Sequence, residues 1–239
     1  MTAPIVADSG SLPSSQKTPF SKKQEILEIY DRLAAHFGPQ HWWPADTPFE
    51  VMIGAILTQN TSWKNVEKAI SRLKEEDLLH PAALYHLPEK TLSLLVRSSG
   101  YFKIKAKRIK ALTTFIFEEY GGSLDTMFSE KWEVLRQKLL SVRGIGPETA
   151  DAILLYAGNA PVFVIDAYTR RIFERHNHID PADDYHKVQN YIMEGLGDKT
   201  ELYNEYHALI VVTGKFFCKK TAVCPACPLN DLFEDKATS

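Results

Sequence analysis

The sequence predicts an all-α protein. Apolar residues recur at helical spacing along most of the chain, helix-start signals precede several of those runs, and strand signals are nearly absent. The one extended apolar stretch, Val162-Phe163-Val164-Ile165, is too short for more than a connector.

The elements follow in order. Residues 1–20 are rich in Ser, Pro, Thr and Ala, show little periodicity and read as a disordered tail. From about residue 22, Ile26, Ile29, Tyr30 and Leu33 mark one face of a first helix. Thr47-Pro48-Phe49-Glu50 supplies an N-cap, a first-position proline and a capping-box glutamate, which predicts a buried helix through Leu57. Further helices are expected at 63–73, 81–86 and 88–97. A longer one at 103–119 offers Ile104, Ile109, Leu112 and Phe115 to the core. Its Lys103, Lys105, Lys107, Arg108 and Lys110 read as a solvated basic face that a phosphate backbone can also use. Residues 130–141 lead into Gly144-Ile145-Gly146, and helices near 167–176, 184–195 and 201–216 complete the set, without internal repeats.

The 239 residues have the apolar and charged fractions of a soluble globular protein. A net charge of −2 means that any polyanion must be met by a local basic patch. No apolar run reaches membrane-spanning length, and the N-terminal stretch has no basic flank followed by an apolar core, so a cytoplasmic, nucleoid-associated protein is expected. Cys218, Cys224 and Cys227 cluster near the C-terminus. They suggest a metal or cluster site in a reducing compartment, not a disulfide framework.

The most informative stretch is Val142-Arg143-Gly144-Ile145-Gly146-Pro147-Glu148-Thr149-Ala150-Asp151. A Gly-x-Gly turn opening a helix aims bare backbone N–H groups at a phosphate, with the helix dipole behind them. Pro147 suits the first helical position, and Ala150, Ile153, Leu154 and Ala157 give that helix a buried face. Fifteen residues beyond Asp151, Asp166 stands after the extended connector and before Ala167-Tyr168-Thr169-Arg170, where an N-cap role is natural.

This order resembles the endonuclease III superfamily of DNA glycosylases, with its helix-hairpin-helix, Gly/Pro-rich loop and Asp. The resemblance continues through Gly54-Ala55-Ile56-Leu57-Thr58-Gln59-Asn60-Thr61, Gly100-Tyr101-Phe102-Lys103-Ile104-Lys105-Ala106-Lys107-Arg108 and the three cysteines, covering roughly residues 25–230. Trp42-Trp43-Pro44 and Trp63 add a likeness to the 3-methyladenine DNA glycosylase branch.

The resemblance implies a two-lobed helical fold with a cleft. One lobe would join 22–48 to 161–217, a six-helix lobe would span 49–160, and a cysteine loop would occupy 218–235. It also implies that the hairpin, through Arg143, Gly144, Ile145 and Gly146, grips the DNA backbone. Arg170 would add a phosphate contact, Gln59 would wedge the duplex, and Asp166 would stabilise positive charge on the deoxyribose. Trp42 and Trp63 would sandwich the flipped base, beside Trp43 and Pro44. Bifunctional members carry a lysine where this chain has Glu148, and a carboxylate cannot form an imine, so a monofunctional enzyme is expected. Relatives with an iron–sulfur loop have four cysteines. Here Phe233 stands at the fourth, which leaves a [4Fe–4S] cluster with its fourth ligand from Asp231 or a residue elsewhere, a zinc site with a non-cysteine ligand, or free thiols.

The expected function is hydrolysis of damaged bases, favouring alkylated purines, from double-stranded DNA by a monomer. The rivals are a glycosylase/lyase for oxidised pyrimidines and a non-catalytic DNA-binding module.

Overall fold

The computed structural model describes residues 21–232. The segment 1–20, Phe233 and the end of the 218–235 loop lie outside the described residues. Among the described residues there is no strand and there are twelve α-helices. They are α1 (Lys22–Phe37), α2 (Pro48–Leu57), α3 (Trp63–Glu75), α4 (Pro81–His86), α5 (Glu89–Leu95), α6 (Phe102–Tyr120), α7 (Leu124–Phe128), α8 (Trp132–Ser141), α9 (Pro147–Tyr156), α10 (Ala167–Arg175), α11 (Tyr185–Leu196) and α12 (Thr200–Phe216). The short α7 shows no period in the sequence; its start is fixed by Ser123, whose hydroxyl accepts the Thr126 N–H at 3.2 Å.

Local chemistry sets the boundaries. The Thr47 hydroxyl accepts the Glu50 N–H at 3.1 Å, and Pro48 occupies the first turn of α2. The expected capping box closes differently, because the Glu50 carboxylate accepts the Asp46 N–H at 2.9 Å instead of that of Thr47. Glu50 is buried, and the Lys74 ammonium of α3, 2.8 Å away, neutralises it.

Helices α2, α6 and α9 pack together with α3 to α5 and α8 around them, while α1, α10, α11 and α12 form a second group that meets the first where α9 touches α12. The basic run of α6 is not one solvated face. Lys105 is buried and donates to the carbonyls of Leu57 (2.9 Å) and Ser99 (2.5 Å), and Lys110 donates to those of Leu84, Tyr85 and Leu87. Both ammonium groups satisfy carbonyls left open at helix ends, leaving Lys103 and Lys107 as the exposed cations. Ile104, expected in the core, is 51% exposed.

One buried ion pair joins the two groups. Asp151 of α9 has no exposed surface and accepts four hydrogen bonds. Arg136 of α8 donates two of them (2.5 and 2.9 Å); Tyr185 (2.8 Å) and Gln189 (2.7 Å) of α11 donate the others. Gln189 also donates to the Phe163 carbonyl at 2.6 Å, and the Tyr185 oxygen accepts the Ile165 N–H at 3.2 Å. The connector to Asp166 is thereby fastened to the same network.

Replacing Arg136 by Met strands the Asp151 carboxylate in the core. The expected loss is about 3–5 kcal/mol of unfolding free energy in a urea titration. A loss below about 1 kcal/mol would show that the network does not hold the two groups together.

Candidate active site

Asp166 is the N-cap of α10, and its Oδ1 accepts both the Thr169 N–H (2.7 Å) and the Thr169 hydroxyl (2.8 Å). Capping does not withdraw it from the cleft. Asp166 lines a pocket of about 170 Å³ with Trp42, Trp43, Trp63, Glu148, Tyr168, His207 and Lys215. The long sequence separations close because α9 and α12 supply one wall, the start of α3 another, and the connector the floor. Helix α12 comes close to α10 at Gly214, where a Cβ would collide with the Tyr168 ring.

Three of the four base-binding residues expected from sequence reach this pocket. Pro44 instead lines a separate cavity of about 360 Å³, on which Trp43 and Trp63 also border. The rings of Trp42 and Trp63 lie 4.9 Å apart at 57°. A base between two rings needs about 7 Å between the flanking planes, twice the van der Waals separation, so the two indoles touch each other and leave no slot. Trp43 packs against Trp63 at 5.4 Å and Tyr156 at 5.3 Å. The Lys215 ammonium sits 5.6 Å from the Trp42 ring centroid.

Glu148 and Asp166 share the pocket without sharing an environment. Glu148 keeps exposed surface, and that surface opens into the pocket. Desolvation by the pocket walls, with the Asp166 charge as a smaller cause, raises its pKa to about 7. His207 is buried; its Nδ1 lies 2.6 Å from the Tyr156 hydroxyl and its Nε2 lies 3.8 Å from Asp166 Oδ2. Burial lowers the His207 pKa against a raising effect of Asp166.

The hairpin between α8 and α9 forms as expected, with Gly144 at φ +90° and Pro147 opening α9. A Cβ on Gly144 would stand 2.5 Å from the Arg108 side chain. Arg143, Gly144 and Gly146 are exposed, and the amides of both glycines lack a partner among the described residues. Ile145 belongs to the turn's anchor and not to its outer face. Its side chain is buried, and its N–H is spent on the Val142 carbonyl at 3.0 Å.

Gln59 donates to the Thr149 hydroxyl at 2.9 Å and accepts from Arg108. Arg170 is committed internally, to the Asp183 carbonyl (2.5 Å) and to Glu174 (3.6 Å), which leaves it little to offer a phosphate.

Cys218, Cys224 and Cys227 line one cavity of about 90 Å³. Asp231 is ion-paired with Arg32 at 2.5 Å. No group of three or more His, Cys, Asp or Glu side chains among the described residues is arranged to hold a metal ion. A [4Fe–4S] cluster normally takes four thiolates, and Phe233, at the fourth position, lies outside the described residues.

Lys215, His207, Tyr156 and Tyr168 were not legible as site residues. Each sits in an ordinary helical pattern, and only Tyr168, two residues beyond Asp166, has a positional cue.

Known proteins share this fold. A family model described as "HhH-GPD superfamily base excision DNA repair protein" matches residues 53–197. The chain is 46% identical over 212 residues to "Putative DNA repair glycosylase MJ1434" of Methanocaldococcus jannaschii, covering 88% of this chain and 96% of that one. Among solved structures it is similar to the H. pylori 3-methyladenine DNA glycosylase MagIII bound to 1,N6-ethenoadenine, with TM-score 0.71, 28% identity, and 82% and 98% of the two chains covered. It is also similar to a non-covalent endonuclease III–DNA complex, with TM-score 0.76, 25% identity, and 89% and 95% covered. The chain belongs to the HhH-GPD superfamily of base-excision DNA repair glycosylases.

Proposed function

We propose that this glycosylase is monofunctional and hydrolyses the N-glycosidic bond of alkylated purines, such as 3-methyladenine, in double-stranded DNA. One observation carries the reading: the Asp166 carboxylate faces a pocket walled by three indoles, and the position that holds a nucleophilic lysine in bifunctional relatives is a glutamate, Glu148.

An N-alkylated purine carries positive charge and is already a good leaving group. Electron-rich indoles attract it by about 2 kcal/mol when desolvated. The Lys215 ammonium over Trp42 is a cation of this chain in the place such a base would take. As the bond breaks, charge moves to the sugar, and a fixed carboxylate at Asp166 lowers the energy of the oxocarbenium-like state. The hairpin amides of Gly144 and Gly146, with Arg143, would hold a backbone phosphate, and Gln59 would fill the gap in the duplex. Trp42 and Trp63 must part to admit the base.

A second reading has one specific observation behind it. Lys215 places an amine in the pocket, as a glycosylase/lyase would require.

Asp166→Asn is expected to slow release of 3-methyladenine from methylated DNA by about 10²–10³-fold, the scale of one preorganised catalytic group, with DNA binding retained in a gel-shift assay. Full activity would remove Asp166 from the mechanism. Borohydride is expected to trap no enzyme–DNA adduct; an adduct abolished by Lys215→Met would establish the lyase reading.

A carboxyl whose pKa is raised on folding binds its proton more tightly in the native state, so it destabilises the fold as pH rises from about 4.5 towards 7. Glu148→Gln is therefore expected to melt with the wild type at pH 4 and above it at pH 8. An equal melting difference at both pH values would contradict the raised pKa.

A further inference from the structure

Behind Asp166 lies a chain of polar groups that the chemistry above does not use. Tyr156, at the end of α9, meets His207 of α12 with its hydroxyl 2.6 Å from Nδ1. Desolvation and nearby carboxylates keep the phenol protonated. It has one hydrogen to give, and Nδ1 is its only partner among the described residues. If Nδ1 accepts, the ring proton is on Nε2. The opposite tautomer would waste the phenol hydrogen and turn a bare Nε2 lone pair towards the Asp166 carboxylate.

His207 Nε2 is buried and has no hydrogen-bond partner among the described residues. It lies 3.8 Å from Asp166 Oδ2, about half an ångström beyond a normal N–H···O bond. Asp166 Oδ1 already takes two donors from Thr169, whereas Oδ2 takes none among the described residues. A buried donor without an acceptor is costly, and catalytic hydrogen bonds often close only when substrate is bound.

We propose that His207 is a positioning residue: its Nε2–H, fixed by Tyr156, closes onto Asp166 Oδ2 in the lesion complex and keeps that carboxylate ionised and aimed at the sugar. The proposal rests on the reading of Asp166 as the reacting carboxylate, not on which base is removed. The other charged or titratable groups around Asp166 are Glu148 and Tyr156 on α9, Tyr168 on α10, and Lys215 on α12, with Glu205 of α12 acting on Tyr156. A neutral N–H donor holds the carboxylate without adding a cation beside the developing positive charge on the sugar.

The test is single-turnover base release across pH by the full chain, using whichever lesion the wild type releases fastest from a panel of alkylated, oxidised and mismatched duplexes. His207→Leu is expected to slow the chemical step about ten- to a hundredfold, the scale of one hydrogen bond to a charged group. Lesion-DNA affinity should be unchanged, and the acid limb of the profile should move to higher pH. His207→Gln, whose amide can donate from nearly the Nε2 position, is expected to restore most of the rate and the acid limb. Tyr156→Phe should fall between them. A wild-type rate and acid limb in His207→Leu would overturn the proposal. So would a His207→Gln enzyme as impaired as His207→Leu, since the imidazole would then only fill space. Should His207→Leu fail to fold, a wild-type rate and limb in Tyr156→Phe overturns it equally. Asp166→Asn, run alongside, separates the failures: its full activity removes the reading of Asp166 and this inference with it, whereas an inactive Asp166→Asn beside an unaffected His207→Leu removes this inference alone.

Discussion

The position of Asp166 depends on a different carboxylate, the buried Asp151. Asp151 is out of contact with water, and a lone charge there would cost several kcal/mol. Its four hydrogen bonds offset that cost only when α8, α9 and α11 are all in place. The same donors reach further, because Gln189 and Tyr185 also bind the backbone of Phe163 and Ile165. The hairpin helices, the second helical group and the connector are thus held by one set of bonds. Asp166 follows directly on that connector and Glu148 lies three residues before Asp151, so the network sets where the two pocket carboxylates stand relative to each other.

Those two carboxylates differ through their surroundings. Asp166 Oδ1 has two donors built into the first turn of α10, and Glu148 has none among the described residues and is pushed towards its neutral form by the walls around it. Pairs of acids driven apart in this way often divide the work at a site. On the proposed reading, Asp166 is left to meet the sugar, and Glu148 is the acid pushed towards its neutral form.

How far the sequence could be read follows the range of the forces involved. Helix positions were legible because caps, prolines and 3.6-residue spacing act within one element: Thr47-Pro48 and Gly146-Pro147 start helices where expected. The hairpin and Asp166 were legible for the same reason, aided by family resemblance. Asp151 was visible only as the last residue of a turn motif, since nothing local says that a polar residue there points inward to an arginine fifteen residues earlier. His207 and Lys215 sit in a helix whose pattern gives no hint of a pocket. Lys105 and Lys110 went the other way, looking like surface charge while capping buried carbonyls. Each such residue takes its role from a partner distant in sequence, which periodicity cannot report.

The closed tryptophan pair follows from the same competition of contacts. Trp42 and Trp63 gain from touching each other, about 0.5–1.5 kcal/mol for an aromatic pair beyond the area they bury, and the Lys215 ammonium adds its charge over Trp42. An entering base has to replace both interactions. A neutral ring can replace the stacking but not the cation, so it must leave Lys215 in place or lose that attraction. A cationic ring replaces both at once. On the proposed reading, a preference for charged bases would arise from the Trp42–Trp63 and Lys215–Trp42 contacts, without any group that reads a particular alkyl substituent.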